Sequence, residues 1–161
     1  MTQRGIRRAA LVLMAAMLAV LSIPGAAAAH NLADSYVYLD IYDSSIEGEI
    51  HYPVPDLNEV LGPDIPNDAD GAAEWAEDNP DLIHSYSADH LAMSDLNGTE
   101  WPIVFTTFEG LEVFDGAYLL VSFEVDREFA DVPRQFVLTY DGIMHAKPER
   151  AALLAIATDF G

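Results

Sequence analysis

Five histidines carry most of the chemistry open to this chain: His30, His51, His84, His90 and His145. His30 stands directly after four alanines in "AAAAHNLADSY". A cut before it would give one residue both an α-amino nitrogen and an imidazole, able to grip the same ion. A second histidine would complete a three-nitrogen, T-shaped set, the tetragonal ligation that suits Cu(II). His51, in "IEGEIHYPV", is the expected second ligand, because the alternation of that segment puts it on a polar strand face. The bound ion is expected to be a divalent metal, copper or nickel, with calcium less favoured.

Three other constellations are weaker. "HSYSADH" (84–90) matches H-x4-D-H, a spacing found in membrane nickel and cobalt permeases. There it lies in an apolar membrane helix, whereas here its surroundings are polar. At about 100° per residue, six positions leave the two rings roughly 120° apart on a helix, so they are not expected to converge. "PNDADGAAEWAE" (66–77) half-matches a calcium loop. Asp68, Asp70, Gly71 and Glu77 take four of its places, but Pro66 stands where the first aspartate belongs, and an acidic surface loop is the expectation. His145, in "DGIMHAKPER", falls between strands and is expected to face solvent. The chain has no cysteine, no G-x-S-x-G, no H-E-x-x-H and no glycine-rich phosphate cradle. No catalytic residues are assigned and no enzyme is expected.

The case for His30 depends on what precedes it. Arg4, Arg7 and Arg8 are followed by an apolar run over 9–23, then by Pro24, Gly25 and small residues, with Ala27 and Ala29 in the A-x-A positions. This is the three-part order of a secretory signal peptide over 1–29. The apolar run is shorter than the ~20 residues of a spanning helix. Cleavage would leave residues 30–161 as one exported domain, periplasmic or extracellular. That part holds four basic residues (Arg127, Arg134, Lys147, Arg150) against all 27 acidic ones, a formal charge of −23. Such a surface repels nucleic acid and anionic lipid and attracts cations. Without cysteine no disulfide can staple it, but a chain of this length can build one ordinary core.

The elements that must position these residues read mainly as strands. "SYVYLDIY" (35–42) and "IEGEIHYPV" (46–54) alternate around the polar turn "DSS", the pattern of a β-hairpin. "PDLNEVLG" (55–62) brackets one or two helical turns. Residues 62–80 read as a long polar loop with one short helical turn. "DLIHSYSADHLA" (81–92) reads as a helix capped by Asp81. Asn97-Gly98 marks a second hairpin, and further strands follow in "FTTFEGLEVFDGAYLLVSFEVD", "RQFVLTYDGI" and "AALLAIATDF". The sum is an all-β, mainly antiparallel β-sandwich of about seven strands with a small helical insertion.

The order of a leader ending in "AH", then "SYVYLDI", "IEGEIHYPVPDLNEVLG", "YSADHLAMSDLNGTEWPI" and "FVLTYDGI" resembles the exported N-terminal region of HupE/UreJ-type proteins. That family is linked to hydrogenase and urease accessory functions and to nickel transport. The resemblance implies a non-enzymatic, extracytoplasmic ectodomain that presents or senses a divalent transition metal. It also implies that membrane helices of the same protein follow, so that this chain stops short of them. The family's membrane motif has no counterpart here, and no transport residue can be carried over. The alternatives are a freestanding exported copper- or calcium-binding protein, and a metal-free interaction domain that uses the face of Tyr36, Tyr38 and Tyr42.

Overall fold

The alternating segments pair as their period demands. The computed structural model describes residues 34–62, 64–114, 116–131 and 133–158; the expected leader and His30 lie outside them. β1 (Ser35–Ile41) and β2 (Ile46–Pro53) form an antiparallel hairpin. Its turn is closed by the Tyr42 amide, which donates to the Ser45 carbonyl at 3.0 Å. Val37, Leu39 and Ile41 point inward with Ile46, Ile50 and Tyr52, and none is more than 6% exposed.

Three helices follow. α1 (Val54–Leu61) buries Val54, Asp56 and Leu57, and stops at Gly62, whose φ of 131° no L side chain adopts readily. α2 (Ala69–Asp78) begins where Asp68 Oδ1 accepts from the Gly71 amide at 2.9 Å. It buries Ala69, Ala72 and Ala76, a stripe of small residues that lets it lie close to the sheet. α3 (Pro80–His90) opens with proline in its first position, where a missing N–H costs nothing. Asp81, the expected cap, lies inside the first turn instead, and Asn79 holds the cap position.

The remaining strands are β3 (Leu91–Ser94), β4 (Glu100–Trp101), β5 (Ile103–Val113), β6 (Gly116–Val125), β7 (Val137–Tyr140) and β8 (Ala152–Thr158). One sheet has the order β5-β6-β2-β1-β8 and the other the order β4-β3-β7. The turn between β3 and β4 contains the expected Asn97-Gly98, with Gly98 at φ 83°. Asp95 Oδ1 accepts there from the amides of Asn97 and Thr99, which holds its carboxyl below the usual range.

Three corrections to the expected architecture follow. The described residues hold eight strands, and three helices of 8, 10 and 11 residues replace one small insertion. Residues 69–78, expected to be largely loop, are α2. The larger sheet is mixed: three of its four pairings are antiparallel, but β8 runs parallel to β1. A parallel neighbour requires a crossover rather than a hairpin, and alternation within "AALLAIATDF" carries no information on strand direction. No helix among the described residues is long and apolar enough to cross a membrane.

Both sheets and all three helices contribute to one core, from Ile50, Leu119 and Phe123 to Ile83, Met93 and Ile143. Its polar members make a pH prediction. Burial raises the phenols of Tyr52, Tyr86 and Tyr140. Partial burial would lower Lys147, but Asp56 and Glu59 more than offset this and hold its ammonium above the ordinary range. All four groups have higher values folded than unfolded, so their contribution is intact below about pH 10 and is lost as pH rises further. The melting temperature is expected to fall steeply above that point, with phenolate absorbance at 295 nm rising as tertiary structure is lost. Replacing Tyr52 and Tyr140 with phenylalanine should flatten the alkaline slope; an unchanged slope would contradict this assignment.

Candidate functional site

His51 lies on the outer face of the five-stranded sheet. Because β2 alternates, the residues that bury Ile50 and Tyr52 on one face turn His51 and Glu49 to the other. His51 Nε2 is 3.1 Å from Glu49 Oε2, and the imidazole side chain is only 12% exposed. Aromatic rings cover it. Tyr38, on β1, stands 4.6 Å away between centroids and Tyr118, on β6, 6.4 Å. Tyr36, the cross-strand partner of His51, stacks on Tyr38 at 6.1 Å and meets Tyr118 edge-on at 5.9 Å. A cavity of about 320 Å³ opens beside this group, lined by Tyr38, Asp40, Glu49, His51 and the middle of β8.

The Glu49–His51 pair has a geometry that matters chemically. Donor atoms 3.1 Å apart, each about 2.1 Å from a shared ion, subtend roughly 95° at that ion. This is close to the angle between adjacent ligands of a tetragonal centre. Among the described residues, no group of three or more His, Cys, Asp or Glu side chains could hold an ion. The pair is therefore at most half of a site, with the other positions left to water or to donors elsewhere. His30, the other expected ligand, lies outside the described residues.

His84 and His90 do not meet. The His84 ring packs against Phe108 (5.1 Å) and Phe105 (5.9 Å), whereas His90 donates or accepts through Nδ1 at 2.7 Å from Asp141. His145 is exposed as expected, but it also stacks on His90 at 4.0 Å with 17° between planes. An imidazole binds metal in its own ring plane, so two nearly parallel rings at this spacing cannot share one ion. Beside them Ile143 takes φ 61°, strained for a β-branched residue. Its amide donates to the buried Tyr86 hydroxyl at 2.8 Å, which holds the turn in place. No motif links His90 to residues 51 and 55 positions further along the chain.

The expected calcium-loop ligands are dispersed by α2. Asp68 caps the helix, while Asp70 and Glu77 lie seven residues apart within it, about 10 Å along the axis. They cannot close around one ion.

A cluster that carries no sequence motif is the most tightly knit. Asp56, 3% exposed in the first turn of α1, receives Lys147 Nζ at 2.6 Å and Arg150 Nη2 at 3.0 Å on Oδ1. Arg150 Nε stands 2.9 Å from Oδ2. Lys147 also reaches Glu59 at 2.7 Å. These contacts fasten the crossover before β8 to α1.

No protein-family model, curated protein or solved structure matches the chain.

Proposed function

We propose that the chain is the exported, non-enzymatic ectodomain of a HupE/UreJ-like membrane protein, built as a β-sandwich with helices over part of its core. Its task in this reading is to present or sense a divalent transition metal, copper or nickel, outside the cytoplasm. The observation that carries it is the Glu49–His51 pair, with nitrogen and oxygen donors 3.1 Å apart inside an aromatic wall. The acid excess supports it, since a strongly anionic body concentrates cations around any weak ligand set. His30, freed at the amino terminus by removal of 1–29, is proposed as a further metal ligand on its chemistry alone.

Calorimetric titration of the exported product with Cu(II) and Ni(II) tests the proposal. His51→Gln is expected to weaken binding at least about tenfold, the cost typical of losing a ligand-shell group, and Glu49→Gln by a similar factor. An N-terminal alanine added before His30 should weaken binding only if the α-amine is a ligand. Heats that are the same in wild type and His51→Gln would refute the metal reading. A second reading draws on the ring cluster itself: Tyr36, Tyr38 and Tyr118 could form a docking face for a protein partner. Binding heats that vanish in all variants together with retained partner capture would favour it.

A further inference from the structure

Two rows of side chains cross the five-stranded sheet on its core side. The registers of β6, β2, β1 and β8 align Val121, Ile50, Val37 and Leu154 in one row, and Phe123, Gly48, Leu39 and Ile156 in the next. Val121, Ile50 and Val37 are at most 2% exposed, yet Leu154 is 51% exposed. Phe123 and Leu39 are equally buried, yet Ile156 is 51% exposed. The covering layer stops one strand short of the sheet edge.

In its place lies a groove of about 570 Å³. Leu154 and Ile156 form one wall, Leu96, Phe136 and Leu138 the other, and Arg134 borders it. Among the described residues β8 pairs with β1 alone and β7 with β3 alone, so Leu154 and Ile156 stand on one sheet edge and Leu138 on another, with Phe136 just before β7 and Leu96 in the turn after β3. Native edges are usually blunted by lysine, proline or a bulge. The β8 segment "ALLAIAT" has neither charge nor proline, and its register against β1 is unbroken. Among the described residues Arg134 is the one cation of the four with neither an ion pair nor a ring contact. Lys147 and Arg150 bind Asp56, and Arg127 lies over Trp101 and Phe129 at 5.4 and 5.5 Å. Among the described residues Arg134 has no carboxylate partner.

We propose that β8 accepts an extended segment of a partner polypeptide as an added strand. The segment places alternate apolar side chains in the groove and a carboxylate against Arg134. Main-chain pairing supplies affinity and the alternate pockets supply selectivity, as in other cases of strand addition. Charge decides between occupants. A second copy paired through its own β8 brings no carboxylate in "ALLAIAT" to meet Arg134, and it adds a second strongly acidic body. A fatty acid could meet Arg134 and fill the slot, but it would leave the β8 backbone unpaired.

A displayed library of random eight-residue segments, panned on the full 161-residue chain, tests this. The enriched segments are expected to alternate apolar residues with one Asp or Glu at a fixed position. Hydrogen exchange at the β8 amides should slow when a labelled winner binds. Arg134→Ala should weaken the acidic winner about fivefold, as for an exposed ion pair, and its amide counterpart hardly at all. Ile156→Lys should weaken both at least about tenfold. Both substitutions are at exposed side chains, and unchanged circular dichroism will show the fold intact. The proposal is overturned if no segment is enriched, or if winners ignore Arg134→Ala. It is equally overturned if sedimentation shows β8 consumed by self-association, or if dodecanoate binds the groove while the β8 amides exchange as before.

Discussion

Replacing Lys147 and Arg150 together with alanine is expected to destabilise the domain by about 3–5 kcal/mol, the range for leaving a buried charge without its partners. The carboxyl they serve is 3% exposed, and its two cations approach within 3.0 Å. Asp56→Asn should cost less, about 1.5–3 kcal/mol, the worth of hydrogen bonds to a charged group. The difference has a structural origin. Without Asp56, Lys147 keeps Glu59 at 2.7 Å, and Arg150, 24% exposed, can turn to water. Without the cations, the carboxylate of Asp56 keeps none of its charged partners, and its place in the first turn of α1 is what still favours its charge. Guanidinium denaturation reads the effect as a fall in midpoint at constant slope. The triple replacement Asp56→Leu, Lys147→Met and Arg150→Met should restore most of the lost stability, because apolar groups of similar volume do not need each other's charge. If Asp56→Asn proves more costly than the double alanine, the buried carboxylate is not the centre of this cluster.

This cluster also marks where the sequence stopped being readable. The β1–β2 hairpin, its inward Val37, Leu39 and Ile41, and the Gly98 turn were legible because each rests on neighbours within a few positions. So was the outward placement of His51, which follows from alternation alone. The clamp joins residues more than ninety positions apart, and His90 meets His145 and Asp141 across more than fifty. Nothing local encodes such pairings. The direction of β8 was hidden for the same reason, since the crossover pinned by Lys147 and Arg150 sets it. α2 is a different case, and its signal was present. Asp68 before Gly71, with alanines at 69, 72 and 76, is a capped helix with one small-residue face. The Pro, Asp, Asn and Gly around it favour a loop, and tertiary packing of the alanine face overrides that composition.

That packing makes Gly110→Ala the second large effect, expected at about 3 kcal/mol, the upper end of the usual cost of overpacking. Gly110 lies in β5 directly beneath the first residue of α2. A Cβ there would collide with the Ala69 carbonyl and come 2.9 Å from Ala69 Cα. The obstacle is backbone, so no rotamer change can relieve it. α2 would have to lift from β5, and two attachments would go with it. The Ala69 amide would lose Glu112 Oε2, now 3.3 Å away on the same strand, and the buried Ala72 and Ala76 would separate from the sheet. Gly98→Ala is the informative control, because nothing lies within 4 Å of its added methyl and only the φ of 83° resists it. Its cost should stay near 1 kcal/mol, that of one residue held in a left-handed conformation. Hydrogen exchange would separate the two substitutions: Gly110→Ala should speed exchange across residues 69–78, and Gly98→Ala only around the turn. Equal stability losses, with α2 still protected in Gly110→Ala, would mean that the helix does not depend on this close approach to the strand.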